Sequence, residues 1–447
     1  MELIKSIYTH IFKYNGKCLV YNSENNCFFE ISDKIYEYIE HINENKFISV
    51  SQETLDMLIK HKIIISKNDK YSYYNRSKLM NCLDRFCSTK LTINIIPTTS
   101  CNFKCPYCFE KNKTNKTISD NVIEKLIEFI NKHSDSKKLN LMWYGGEPLL
   151  AFEKIKIILK LIQDKSIIPL NSHSIITNGY LFDQAKCSFF KKYPLSDIQI
   201  TIDGEQSQHN KSRYTCNDNN TYERIISNID VIVEEMPSTR VFIRINIDEN
   251  NKYSFASLYK KFNERWGGKN VHVYPGFIRI DNENSTNMMV PSIIEDSKRN
   301  FYFDLEEDGL KVGYYPELRN KSCSAVRKNS YIIGPEGELY KCWNDVSNPN
   351  KIIGNICEDN IKNVDLLAKY LTEGTVFENE KCRDCFYFPI CGGGCPQYRL
   401  KNKFEGGSYD LCSVRNDKRL DKKYFTECLI KHYELKRSNG SINLINE

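Results

Sequence analysis

The stretch Thr98-Thr99-Ser100-Cys101-Asn102-Phe103-Lys104-Cys105-Pro106-Tyr107-Cys108-Phe109-Glu110 sets three cysteines in a C-x3-C-x2-C spacing, directly behind a strand-like run at 91–97. Three thiolates on one short loop can hold three irons of a [4Fe–4S] cube, because soft sulfur suits iron. The fourth iron is then left without a protein ligand, and an open iron is where a cofactor binds and receives an electron. Zinc is the alternative, but a structural zinc site closes with four ligands and the local run supplies three. Cys101, Cys105 and Cys108 are thus the first candidate metal ligands and the first candidate catalytic residues.

Eighteen cysteines in 447 residues, with no apolar signal segment behind Met1, point to metal or redox chemistry rather than disulfides. The formal charge is +6, from 63 Lys and Arg against 57 Asp and Glu, with no basic block to suggest nucleic acid. No apolar run is long enough for a membrane-spanning helix, so a soluble, cytoplasmic protein without a membrane partner is expected. The length suggests about three domains.

From residue 91 to about 277, strand-like and helix-like stretches alternate as in a parallel α/β fold. Strands are expected at 91–96, 139–144, 173–177, 197–203, 241–246 and 271–274, with helices at 119–132, 152–162, 222–235 and 255–266. In barrels of this kind chemistry sits at the carboxyl ends of the strands. Tyr144-Gly145-Gly146-Glu147-Pro148 closes the second strand: paired glycines let backbone approach a ligand, and Glu147 can accept hydrogen bonds from an ammonium. Asn178 follows the third strand, Thr201 and Asp203 close the fourth, and Arg244 lies at the end of the fifth. Such groups suit the ribose and carboxylate of a nucleoside cofactor. His209 and Arg213, behind Asp203-Gly204, fit either that pocket or a structural hydrogen-bond role.

Residues 1–85 read as a small module: strands at 6–12, 17–21 and 27–31 with Asn15-Gly16 as a turn, helices at 33–42 and 54–61, and a closing hairpin of 63–66 with 71–73. The order is that of a winged helix-turn-helix, though its second helix carries little of the charge that DNA would need. Residues 74–90 read as a linker, with Cys82 and Cys87 as ordinary thiols. A polar boundary is expected at 281–287 and a helix at 293–305. Beyond them lies a second cysteine-rich region: Cys323, an expected hairpin at 333–340, Cys342, then Cys382-x2-Cys385-x5-Cys391-x3-Cys395 and Cys412. Seven thiols at these spacings read as metal ligands, with two zinc sites as the alternative to iron–sulfur centres.

The cysteine loop with Tyr107 before its last thiol, followed one strand later by Gly-Gly-Glu-Pro, resembles the signature of the radical S-adenosylmethionine (SAM) superfamily. The later pattern, C-x13-G-x4-C, C-x2-C-x5-C-x3-C and C, closely resembles the SPASM domain, and the whole order resembles the maturases of ribosomally made peptides. The resemblance implies a partial (β/α)6 barrel at 86–285, a winged-helix-like leader-recognition module at 1–85, a bridging region and SPASM domain at 286–430, and a tail at 431–447. It implies SAM and three [4Fe–4S] clusters. Cys101, Cys105 and Cys108 would hold the catalytic cluster. Tyr107, Gly145, Gly146, Glu147, Pro148, Asn178, Thr201 and Arg244 would contact SAM. Cys323, Cys342 and Cys395 would hold one auxiliary cluster; Cys382, Cys385, Cys391 and Cys412 would hold the other.

The activity so implied is cleavage of SAM to a 5′-deoxyadenosyl radical, hydrogen abstraction from a precursor peptide, and closure of a thioether, carbon–carbon or ether crosslink. The leader would add as a strand to the module, and a flavodoxin or ferredoxin would supply electrons. An anaerobic sulfatase maturase, which forms formylglycine, is the enzyme alternative. Its catalytic aspartate follows the cysteine that matches Cys342, where this chain has Trp343, with Asp345 two residues on. A cluster-holding redox or scaffold protein that does not cleave SAM is the non-catalytic alternative. The first auxiliary cluster lacks one thiol, so its last iron is either bound by Cys357 or open to substrate.

Overall fold

A computed structural model describes residues 2–44, 48–108, 114–248, 250–280, 290–291, 301, 304–305, 310, 315–319, 322–358, 360–409, 411–412 and 422–445. The boundary expected at 281–287 and most of the helix expected at 293–305 lie outside the described residues. The chain forms two compact units: Met1–Arg85 with Val312–Cys323 and Thr372–Glu447, and Phe86–Lys311 with Ser324–Leu371.

In the first unit, β1 (Leu3–Lys5), β2 (Thr9–Tyr14), β3 (Lys17–Asn22) and β4 (Cys27–Ile31) precede α1 (Asp33–His41), α2 (Gln52–Lys60), β5 (Ile64–Ser66) and α3 (Ser72–Phe86). Strands β2, β3 and β4 pair antiparallel in sequence. Ser32 and Ser51 cap α1 and α2, each hydroxyl accepting from a backbone N–H three residues on. Two expectations fail here. Strand β5 pairs with β1, not with 71–73, and the expected linker is largely the fifteen-residue helix α3. No Gly or Pro falls between residues 67 and 90, so nothing in the sequence breaks that helix.

Both faces of the small sheet are buried, because alternate residues of a strand point to opposite sides. Cys18, Val20, Phe29 and Ile31 pack with Ile35, Ile39 and Leu58 from α1 and α2. Phe12, Leu19, Tyr21 and Phe28 pack with Phe386, Tyr387 and Ile390 of the cysteine-rich segment and with Phe425, Leu429 and Tyr433 of the helix Lys423–Ser438.

In the second unit, β6 (Lys90–Ile95), β7 (Lys138–Trp143), β8 (Leu170–Thr177), β9 (Asp197–Ile202), β10 (Arg240–Ile247) and β11 (Val271–Phe277) lie in chain order, all parallel. Helices α4 (Asp120–Lys132), α5 (Phe152–Lys165), α6 (Gln184–Lys192), α7 (Gln206–Ser212), α8 (Thr221–Glu235) and α9 (Phe255–Trp266) alternate with them. Leu139, Leu141, Ile198, Ile200, Ile202, Val241, Ile243 and Ile245 are buried with the apolar stripes of the helices. The alternate positions Asn140, Met142, Gln199, Thr201 and Arg244 are only partly buried, so the other face of the sheet is more open and largely polar.

A short antiparallel pair, β12 (Arg279–Ile280) with β13 (Val290–Pro291), follows. The expected hairpin forms from β14 (Ser330–Ile333) and β15 (Glu338–Tyr340), but it is built onto this sheet, β14 pairing parallel with β6. Strands β16 (Gly354–Asn355) and β17 (Asn360–Ile361) complete a ten-stranded sheet. The Cys342 hairpin therefore shares a unit with the parallel strands, while Cys382 to Cys412 share one with the N-terminal module.

Candidate functional site

The cysteine loop leaves β6 and is gripped from below by the glycine pair. Gly145 and Gly146 approach so closely that an added Cβ would lie 2.5 Å from the Thr98 carbonyl oxygen and 2.2 Å from that of Ser100. Gly146 N–H donates to Thr98 O at 3.2 Å and Glu147 N–H to Ser100 O at 2.8 Å. The glycines thus serve the approach of the cysteine loop itself. Within the loop, the Phe103 amide donates to Cys101 Sγ at 3.4 Å and the Cys108 amide to Cys105 O at 3.2 Å.

Glu147 is fully buried and satisfied from inside. Its Oε1 accepts from the Thr177 hydroxyl at 2.8 Å and the Leu149 amide at 3.0 Å, and Oε2 accepts from the Asn178 amide at 2.8 Å. Burial raises its pKa against these bonds. Its carboxylate ties the ends of β7 and β8 together, with Pro148 buried in the turn behind it. Asn178 is similarly engaged: its Nδ2 donates to Asn102 Oδ1 at 2.8 Å and its Oδ1 accepts from the Tyr180 amide at 3.0 Å.

The far end of the loop is held by Tyr107. Its hydroxyl donates to Asp203 Oδ2 and accepts from Arg213 Nη1 at 3.0 Å and Asn246 Nδ2 at 3.2 Å. Asp203 also accepts from Asn246 at 3.1 Å and Ser212 at 2.9 Å. Burial raises the pKa of Tyr107 and of Asp203. It opposes the charge on Arg213, but Tyr107, Asp203 and Cys105 outweigh it and leave that pKa raised. His209 packs beside this network; burial, then Arg213, push it down to about 3, so it is neutral. The loop is therefore clasped at its base and at its tip.

Thr201 and Arg244 stand opposite each other in the β9–β10 register. Gly276 leaves room for the Arg244 side chain, since a Cβ there would lie 2.1 Å from Nε. Arg244 Nε and Asn102 Nδ2 are buried donors with no partner among the described residues. The Arg244 cation and the Thr201 hydroxyl on adjacent strands, and the Asn102 amide in the cysteine loop, are of the kinds that fit the carboxylate and ribose of SAM. Asn102 is a candidate the sequence reading did not single out; its place between Cys101 and Cys105 was the available signal.

In the first unit, Gly392, Gly393 and Gly394 all adopt left-handed φ, at 74°, 83° and 82°, and turn the chain sharply between Cys391 and Cys395. A Cβ on Gly394 would lie 2.2 Å from Leu411 O, which brings this turn against the segment that carries Cys412. Burial pushes the Cys382 thiol up to about 12, and Cys385, Cys412 and Cys391 act in the same direction. Four thiols thus bear on one another, and a bound metal reverses that penalty by fixing them as thiolates. Among the described residues no three Cys, His, Asp or Glu converge as one ion requires; a cube spreads its ligands over separate irons.

In the second unit, Cys342 follows β15, and Trp343 meets Tyr144 of the glycine motif edge-on, ring centres 4.4 Å apart. Asp345 is 1% exposed and accepts from the Tyr370 hydroxyl at 2.5 Å. Cys357 lies at the hairpin's turn, its Sγ 3.1 Å from where a Gly337 Cβ would stand. Cys342 is at the other end of β15, roughly 16 Å away at the extended rise per residue.

Residues 95–255 match the Radical SAM superfamily. This stretch is a radical SAM domain, and the chain is a radical SAM enzyme. Over 88% of its length it is 23% identical to the radical SAM cyclopropyl synthase TigE of Paramaledivibacter caminithermalis, of which 89% is covered. Over 72% of its length it is 23% identical to the cysteine-type anaerobic sulfatase-maturating enzyme of Clostridium novyi, of which 91% is covered. Among solved structures it is similar in fold to anSMEcpe with bound AdoMet, with TM-score 0.61 and 19% identity, covering 78% of this chain and 96% of that one. It is also similar to Streptococcus suis SuiB bound to its precursor peptide SuiA, with TM-score 0.51 and 14% identity, covering 92% and 98%.

Proposed function

We propose that this radical SAM enzyme matures a ribosomally made precursor peptide by installing a crosslink. Cys101, Cys105 and Cys108 hold the catalytic [4Fe–4S] cluster; Cys382, Cys385, Cys391 and Cys412 hold a second, and Cys323, Cys342 and Cys395 a third. The last assignment rests on the SPASM resemblance alone. Bound at the first site, a cube supplies the electron that cleaves SAM to methionine and a 5′-deoxyadenosyl radical, which takes hydrogen from the peptide.

The chain's own residues bind and orient. Arg244, Asn102 and Thr201 receive the carboxylate and ribose of SAM. Tyr107 with Asp203, Arg213 and Asn246 fixes the tip of the cysteine loop, and Glu147 fixes the strand ends beneath it. Residues 1–85, the winged-helix-like module, take the leader as an added strand. A small reduced electron carrier, a flavodoxin or ferredoxin, serves the clusters.

The observation that carries this reading is that the N-terminal module and the cysteine-rich segment share one core, which supports reading the two as one functional body. The likeness to TigE and to SuiB with its bound precursor supports it. Formylglycine formation is the second reading, supported by the sulfatase-maturating relatives. It needs an accessible acid near Cys342, and Asp345 is buried against Tyr370. The test is to incubate the reconstituted enzyme anaerobically with SAM, dithionite and peptides encoded by neighbouring small open reading frames. Loss of one pair of hydrogens and a crosslinked fragment in tandem mass spectra are expected. Replacement of a cysteine sulfur by carbonyl oxygen, in these peptides or in a sulfatase peptide, would establish the second reading instead.

A further inference from the structure

In the first unit, Tyr8 and Arg399 are deeply buried hydrogen-bond donors, each with an atom that has no acceptor among the described residues. Tyr8 is 1% exposed and its hydroxyl makes no hydrogen bond; Arg399 is 4% exposed and its Nε makes none. Unpaired buried donors are costly and rare in folded proteins. Each lies against the cysteine-rich segment, Tyr8 by Cys382 and Cys385 and Arg399 by Gly393.

Tyr8, between β1 and β2, packs with Tyr74, Phe377 and Phe388, and Cys382 and Cys385 pack against that group. The carboxylates that face its hydroxyl are engaged elsewhere: Glu24 with Arg76 at 2.9 Å, and Asp384 with the Tyr71 hydroxyl at 2.9 Å. The other ionisable groups that bear on it are Tyr73 and Cys385. Arg399 lies in the first turn of the helix Pro396–Phe404, its amide donating to Cys395 O at 3.1 Å and its Nη2 to Gly393 O at 2.6 Å. Its charge faces Cys382, Cys412, Glu378 and Cys395, and Glu378 does not reach Nε.

We propose that Tyr8 and Arg399 donate hydrogen bonds to the sulfur shell of the centre held by Cys382, Cys385, Cys391 and Cys412, and thereby raise its reduction potential. The inference rests on the reading of those four cysteines as a [4Fe–4S] site. A cube with four thiolates is an anion and gains negative charge on reduction, so a buried cation and two donors favour the reduced form. The centre is then suited to take up an electron rather than deliver one at low potential. Tyr8 also ties this centre to the peptide module: its carbonyl accepts from the Ser23 amide at 2.9 Å, and the Ser23 hydroxyl donates to Phe386 O at 2.6 Å. Both residues are positioning groups, acting on the cluster through its ligands.

The experiment is an EPR-monitored redox titration of the full, anaerobically reconstituted chain, with iron and sulfide counted. Parent, Tyr8→Phe, Arg399→Gln and Cys382→Ser are compared, the last to identify the signal of this centre. Tyr8→Phe and Arg399→Gln are each expected to keep about twelve irons. Each should make reduction of this one centre about tenfold less favourable, a shift of about 59 mV for one electron, with the other centres unmoved. Arg399→Gln can lose the centre outright, so Tyr8→Phe, which keeps the ring, decides. An unmoved potential in Tyr8→Phe at full iron content would overturn the proposal. A parent chain with only about eight irons, unchanged by Cys382→Ser, would instead overturn the reading beneath it.

Discussion

Single residues in this protein divide between those whose role is local and those whose role depends on distant partners. The cysteines of 101–108 were legible because ligand spacing is a property of a short segment. Glu147 was legible as a strand-end carboxylate, but not its engagement by Thr177, Leu149 and Asn178, contacts that only a folded sheet creates. Gly146→Ala tests the grip on the loop. Its new Cβ would meet Ser100 O at 2.2 Å, backbone that cannot swing aside. The expected result is loss of about four irons per chain and of 5′-deoxyadenosine formation, read by iron assay and chromatography. His173 gives a pH dependence. It is fully buried, accepts from Trp143 Nε1 at 3.0 Å on Nδ1, and pairs through Nε2 with Tyr193 O, also at 3.0 Å. Burial lowers its pKa from 6.5 to about 4. Between those values the unfolded chain binds the extra proton, so stability is lost as pH falls through that window. From pH 7 to pH 5 this amounts to about 2 kcal/mol. His173→Gln, which can keep a donor and an acceptor, should show a correspondingly smaller fall in urea midpoint between those pH values. An equal fall would assign the acid sensitivity elsewhere.

Among the elements, the six parallel strands could be anticipated because each is a short apolar run, five of them with polar or cysteine motifs at the carboxyl end. Helix α3 could not, since a polar stretch without Gly or Pro reads equally as linker or as helix until tertiary packing decides. The hairpin β14–β15 was anticipated, but not its pairing with β6, which joins residues more than two hundred positions apart. That pairing fixes what Cys357 can do. It stands at the turn of the hairpin while Cys342 stands at the opposite end of β15, and the rigid ladder keeps them apart. Cys357→Ala is therefore expected to leave iron content and every cluster signal unchanged, with or without peptide. Loss of one cluster in the variant would make Cys357 a ligand and require the hairpin to open.

At the scale of the molecule, the order of modules along the sequence is not their order in space: the two ends of the chain meet in one unit, with the parallel sheet carried by the middle. Composition and spacing cannot show this, because nothing local marks which distant segments share a core. The meeting of the ends bears on how a peptide could be received. Both faces of the β2–β4 sheet are buried, so an added strand must lie along an edge. On the β4 edge, Leu444 and Ile445 already pair in parallel with Glu30 and Ile31, and the Glu30 amide donates to Asn443 O at 3.1 Å. Ile445 is buried beneath them in the core with Val20 and Ile35. This pairing spans only two residues, whereas a peptide laid along Cys27–Ile31 meets five. The tail is thus a weak competitor for the edge that a leader would use. Removing residues 441–447 forfeits about one or two hydrogen bonds of competition, near 1.4 kcal/mol, and should tighten binding of the precursor peptide about tenfold. Fluorescence anisotropy with a labelled leader checks this, with circular dichroism confirming that the unit stays folded after losing Ile445. Unchanged affinity would move the added strand to the β2 edge. Weakened affinity would make the tail part of the binding site rather than its rival.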